Sequence, residues 1–309
     1  MLAWESFHRE QHHQRPAMPI PRYLILLIVL LSVLAMLATV TPLLFTAGPG
    51  PSEYMSVRGK PVELYGYGPY RHMPSDVAVQ GLAQDLVTLF LGIPVLLRSL
   101  WLTYRRSKIA YLVLTGSVGY LFVQYTLYLA MAMYNELFLL WVALVLLSFQ
   151  VLVRLLIGGA RLAATSMPRS TASRRFVGSF LIVNATMIGL LWLNVVVPPL
   201  LDGTLYPEGL EHFTTMIVQG FDLALFLPTS VLAGYYYLRR EPAGDLLAPV
   251  YAVFLSLQMA ALLAKIAWMA AVGVSAGPAL VIIPLLLIGT VSAAYLALRP
   301  HREVANPNA

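Results

Sequence analysis

The chain has no cysteine and very little charge. With Cys 0 in 309 residues, disulfides, thiolate metal sites, iron–sulfur ligation and cysteine nucleophiles are excluded together, and the redox compartment stays open. Charged residues make up 11% against 59% hydrophobic, and the mean hydropathy is +0.75, far from the balance of a soluble domain. A surface of that kind has to face lipid. The alternation that a closed β-barrel needs is missing as well, so the expected fold class is all-α, a polytopic transmembrane helix bundle. Membrane lipid is then the first partner. The formal net charge of +6 raises nucleic acid as a second, but the basic residues lie between apolar runs rather than on one polar domain. No nucleic-acid partner is expected, and the charge reads as membrane orientation.

Catalytic signatures are also lacking. There is no His-Glu-x-x-His, no Gly-x-Ser-x-Gly and no strand-then-glycine phosphate loop. The histidines, at positions 8, 12, 13, 72, 212 and 301, lie in tails or loops, so paired axial ligands for a transmembrane haem are missing. His8 and His12 would share a helical face, yet a solvated tail is the simpler reading. Gly66-Tyr67-Gly68 lacks the Thr-Val that precedes a potassium filter and sits in a polar loop. The sequence names no cofactor and no metal, and enzyme activity has no motif behind it.

What is present is a series of apolar runs near the roughly 20 residues needed to cross a bilayer. They cover Tyr23 to Phe45, Gln80 to Arg106, Ala110 to Met133, Leu137 to Ile157, Phe176 to Val197, Thr215 to Leu238, Leu246 to Val272 and Ala279 to Leu298. The first run is too long for a signal-peptide core of about 7 to 15 residues. About eight spans are therefore expected. A Gly-, Pro- and Tyr-rich stretch, 47–76, is the longest polar connection and reads as an ordinary interfacial loop, with a lid as the alternative.

Basic residues gather before the first span (Arg9, Arg15, Arg22), between the second and third (Arg105, Arg106, Lys108) and between the fourth and fifth (Arg161, Arg169, Arg174, Arg175). They recur after the sixth (Arg239, Arg240) and after the last (Arg299, Arg302). The alternate loops carry Glu136 in one case and Asp202, Glu208 and Glu211 in another. The positive-inside rule then places both termini in the cytoplasm, of the inner membrane if the source is bacterial.

A shift of 134 positions aligns Pro94 with Pro228, Arg105 and Arg106 with Arg239 and Arg240, and Gln124 with Gln258. Pro42-Leu43-Leu44 similarly resembles Pro199-Leu200-Leu201. Two parallel four-helix repeats are expected, 23–160 and 161–298, between cytoplasmic tails 1–22 and 299–309. Chance similarity between apolar helices is the competing explanation.

Charges inside spans cost about 2.5 to 3.5 kcal/mol on insertion scales, so they pair or face a cavity. Asp85, Asp222 and Lys265 all fall in the outer half of the membrane, with Gln84, Gln124, Gln219 and Gln258 at similar depth. Gln258 and Lys265 share one helix face, and Tyr120, Gln124 and Tyr128 form a stripe at four-residue spacing. Asp85, Asp222, Lys265, Gln84, Gln124, Tyr128, Gln219 and Gln258 are the candidate site, for a small molecule or ion from the outer side. The alternative is structural, Lys265 clasping a carboxylate while the glutamines bond between helices. Three function classes remain open. They are a transporter or small-ligand-binding protein, a quinone-interacting or structural subunit of a membrane complex, and a membrane-embedded lipid enzyme.

Overall fold

The computed structural model describes residues 20–163, 170–273, 277 and 279–299; the His8, His12 and His13 run lies outside them. Among the described residues, eight helices are long and apolar enough to cross a membrane. They are α1 (Arg22–Leu44), α2 (Ser75–Tyr104), α3 (Lys108–Met131), α4 (Phe138–Ala163), α5 (Thr171–Val196), α6 (Ile217–Leu238), α7 (Pro242–Ala271) and α8 (Ala279–Leu298). This is a multi-pass helical bundle.

Within 22–163, α1 packs on α2, α2 on α3, α3 on α4, and α4 returns to α1. The second set repeats the ring, α5 on α6, α6 on α7, α7 on α8, and α8 on α5. Contact between the sets runs through α7, which packs along α2, α3 and α4, whereas α6 meets α3 through its first segment, Ile217–Phe221. α3 and α7 are accordingly the most enclosed spans, each 61% buried against 17% for the fifth. Glycine permits the central approach. A Cβ on Gly116 would sit 2.7 Å from Val250 O and from Val253 Cβ, and small residues let membrane helices pack this closely.

α2 and α6 share an interruption. Each contains a π-helical turn, Thr88–Gly92 in α2 and Asp222–Phe226 in α6, the two lying 134 positions apart. Ile93 N–H bonds Thr88 O, and Leu227 N–H bonds Asp222 O, one residue wider than an α-turn. Both turns precede a proline, Pro94 or Pro228, near the start of a 12-residue α-segment. A proline cannot donate to the carbonyl four residues back and crowds it, and the wider turn gives that carbonyl room.

Both helices also end alike. Arg106 and Arg240 take positive φ, 68° and 61°. In the first, Arg106 N–H bonds Thr103 O and Ser107 N–H bonds Leu102 O; in the second, Arg240 N–H bonds Tyr237 O and Glu241 N–H bonds Tyr236 O. These are Schellman closures with arginine where glycine is usual.

The 47–76 connection contains an antiparallel hairpin that the sequence reading did not anticipate. Strand β1 (Ser52–Met55) pairs with β2 (Pro61–Leu64), in a register running from Ser52 opposite Leu64 to Met55 opposite Pro61. All four β1 residues are exposed, so no alternating apolar pattern announces it. A 3-10 turn, Gly68–Tyr70, follows and leads into α2. The bundle thus has a hairpin face, at the end carrying this hairpin, and a basic face at the opposite end.

Candidate functional site

Asp85 lies on α2, ten residues beyond Ser75, about 15 Å along the helix at 1.5 Å per residue. Its side chain is fully buried. Tyr70 donates to Oδ2 at 2.7 Å and Tyr128, from α3, approaches Oδ1 at 3.1 Å. The Tyr128 hydroxyl is also 2.9 Å from Gly81 O. With one proton and two acceptors, Tyr128 leaves the network able to hold one proton more. When Asp85 is ionised, Tyr128 donates to it. When Asp85 carries a proton, it can donate to the Tyr128 oxygen, whose own hydroxyl then donates its hydrogen bond to Gly81 O.

Two glycines make room for the aromatic rings. A Cβ on Gly81 would meet the Tyr70 ring at 3.3 Å, and one on Gly92 would meet Tyr120 at 3.0 Å. Gln84, fully buried, donates Nε2 to Tyr120 OH at 2.7 Å, while Thr88 Oγ1 lies 2.8 Å from the same hydroxyl. Thr88 Oγ1 also donates to Gln84 O at 2.9 Å, so the first residue of the π turn is tied back to the α-helical turn before it. Gln124 is buried on α3 between Tyr120 and Tyr128.

Several buried polar atoms on α2, α4 and α7 have no hydrogen-bond partner among the described residues. Gln84 Oε1, Gln258 Oε1 and Trp141 Nε1 are buried without a hydrogen bond, and the Trp141 ring lies 5.8 Å from that of Tyr128. Lys265, on α7, is partly buried and close enough to Asp85 for their charges to interact. Among the described residues it makes no ion pair within 4.0 Å. Unsatisfied buried groups are rare and call for a reason, a functional role among them.

Tyr70 closes the cluster from the hairpin face and is 1% exposed. Its turn is held in place by the α3–α4 connection. Asn135 Nδ2 donates to Pro69 O at 2.9 Å, and Arg71 bonds Glu136 at 2.6 Å. The Arg71 guanidinium holds the Glu136 carboxyl below the usual carboxylate range. Sequence reasoning missed Tyr70, which is one of several tyrosines in a loop where tyrosine suits the membrane interface anyway.

Asp222 has a different setting. It opens the π turn of α6, is partly buried, and accepts from Trp192 Nε1 of α5 at 2.7 Å. Tyr251 of α7 is its electrostatic neighbour and donates to Phe226 O, at the end of the same π turn, at 2.8 Å. Gln219, one turn earlier, is partly exposed. The structure thus gathers Asp85, Gln84 and Tyr128, buries Gln124 on the helix that carries Tyr128, brings Lys265 within electrostatic range of Asp85, and gives Asp222 its own partners on α5 and α7. No metal-binding group of three or more His, Cys, Asp or Glu occurs among the described residues.

No known family model matches this chain. Neither a curated protein nor a solved structure matches it in the comparisons made.

Proposed function

We propose that this chain is a proton-linked carrier or small-ligand-binding protein, made of two parallel four-helix halves, whose site is the Asp85 cluster with Lys265. The observation that carries the reading is the hydrogen-bond set of Asp85. That set can satisfy the carboxyl both ionised and protonated with the same neighbours, beside a lysine that makes no ion pair within 4.0 Å among the described residues. Carboxylates and lysines inside spans are costly and belong to ion or substrate paths more often than to packing. The π turn beside the cluster supports the same reading, since such turns concentrate at functional sites. Its counterpart beside Asp222 supports two related halves, an architecture shared by many carriers.

The ligand chemistry follows from the donors. Lys265, Gln84 and Gln258 suit a small polar molecule with an acidic group for the lysine and donors for the amide oxygens. Asp85 supplies the linked proton. Tyr70 lies on the side of the cluster toward the hairpin face, and the loop charges support that face being outside the cell.

The test is ligand identification by mass spectrometry of the purified protein, followed by binding of the identified molecule at acid and alkaline pH. Lys265→Met should weaken binding about tenfold or more, the scale of one lost charged hydrogen bond. Asp85→Asn should bind with no pH dependence. A purified protein that carries no small molecule at either pH, or an Asp85→Asn variant with the wild-type pH profile, overturns the reading.

A further inference from the structure

The hairpin face has a second assembly of charged groups, apart from the Asp85 cluster. Arg58, in the hairpin turn, donates Nη1 to Glu211 O at 3.2 Å and Nη2 to Phe213 O at 2.8 Å. Its guanidinium lies 5.2 Å from the centre of the Tyr206 ring, and Tyr54 packs edge-on against His212 at 5.6 Å. The hairpin of one half is therefore fastened to the α5–α6 loop of the other. Beneath the clasp lies a cavity of ≈ 440 Å³ lined by Lys60, Glu63, Asp76, Glu211, Met269 and Val272.

Two carboxyl groups meet at this clasp. Asp76 stands in the first turn of α2 and accepts from Val77 N–H at 2.8 Å. Glu211 is held at φ 50° and its side chain reaches Asp76. Glu211 Oε2 is buried and finds no donor, although Arg58 touches the backbone carbonyl of the same residue. A proton shared with Asp76 supplies the donor this geometry lacks.

We infer that the hairpin and the α5–α6 loop form a pH-operated latch, shut by a proton shared between Asp76 and Glu211 and loosened when that proton leaves. Without it, two carboxylates repel across the seam at which Arg58 joins the loop to the hairpin. The latch does not depend on what binds at Asp85.

The groups facing Glu211 come from the hairpin, α2 and α7. The hairpin turn brings Lys60, β2 brings Glu63, α2 brings Asp76, and the end of α7 brings the uncharged Met269 and Val272. His212 is adjacent in the chain, and burial pushes it below the usual histidine range, with only a backbone interaction with His72 opposing. Its charged form is disfavoured in that setting. Burial, and then Asp76, push the Glu211 carboxyl up to about 7. Its contribution to the closed form is complete below the ordinary glutamate value of 4.5 and is lost as pH rises through about 7.

The absence of cysteine makes the test direct. Val57, in the hairpin turn, and Leu201, on the short helix Pro198–Leu201, are 86% and 82% exposed. Val57→Cys with Leu201→Cys carries two spin labels for distance measurement by electron resonance in lipid nanodiscs, at about pH 5.5 and about pH 8.5, either side of the titration. The expected result is a narrow distribution at the lower pH and a longer, broader one at the higher. Glu211→Gln and Asp76→Asn, each added separately, should keep the narrow distribution at both. A wild-type distribution that ignores pH, or a pH response that persists in both variants, overturns the latch. A response abolished only by His212→Asn assigns the switch to histidine and overturns it equally.

Discussion

At Asp85 the energetic demand is set by desolvation. A buried carboxyl without donors is costly, and this one has two hydroxyls aimed at it, from Tyr70 and Tyr128. Tyr70→Phe removes the shorter of these bonds while leaving a ring of nearly the same shape. The expected loss is about 1 to 3 kcal/mol, the cost of leaving a buried acceptor unpaired. It should register as a fall in the unfolding temperature that Asp85→Asn does not share, because an amide side chain in that place both donates and accepts. A Tyr70→Phe variant as stable as wild type would mean that the hydroxyl does not seal the site. Asp85 was legible in the sequence because an acid inside an apolar run is conspicuous. Tyr70 was not, because its role depends on a loop folding back by 15 residues onto a helix, and nothing in local composition encodes that return.

The elements themselves divide between those that announce their ends and those that do not. Pro94 and Pro228, and the arginine pairs 134 positions apart, were visible as a repeating pattern. Their structural meaning, a π turn before each proline and a left-handed arginine after each helix, was not. Arg106 and Arg240 occupy a conformation that costs a residue with a Cβ about 1 to 2 kcal/mol, and both are on the exposed basic face. Arg106→Gly and Arg240→Gly should each raise stability by about 1 kcal/mol, measured as unfolding temperature in the same detergent. Lower stability in either variant would show that the arginine side chain contributes more than its backbone costs. The hairpin escaped notice for the opposite reason. It buries almost nothing through β1, so its order comes from backbone pairing and from Arg58 reaching across to the other half, neither of which leaves a hydropathy signal.

For the whole molecule, hydropathy locates eight spans, and loop charge proposes their direction. Hydropathy is blind to how the halves meet. The packing of α7 along α2, α3 and α4 rests on shape, through Gly116 and its neighbours, and shape complementarity has no sequence period. Orientation is the property most open to experiment. Arg105, Arg106, Arg174, Arg175, Arg239 and Arg240 all lie toward the basic face, which the positive-inside rule assigns to the cytoplasm. The hairpin connection also contains Arg58, Lys60 and Arg71, which the rule counts against that assignment, but Glu53, Glu63 and Asp76 balance them. Arg58 and Arg71 are moreover engaged in the contacts that fasten the loops. The basic face should therefore prevail. In intact cells a membrane-impermeant maleimide should label Val57→Cys and leave Arg175→Cys unlabelled until the membrane is opened. The reverse pattern would place the hairpin inside. The Asp76 and Glu211 carboxyls would then sense the pH of the cytoplasm rather than that of the surroundings.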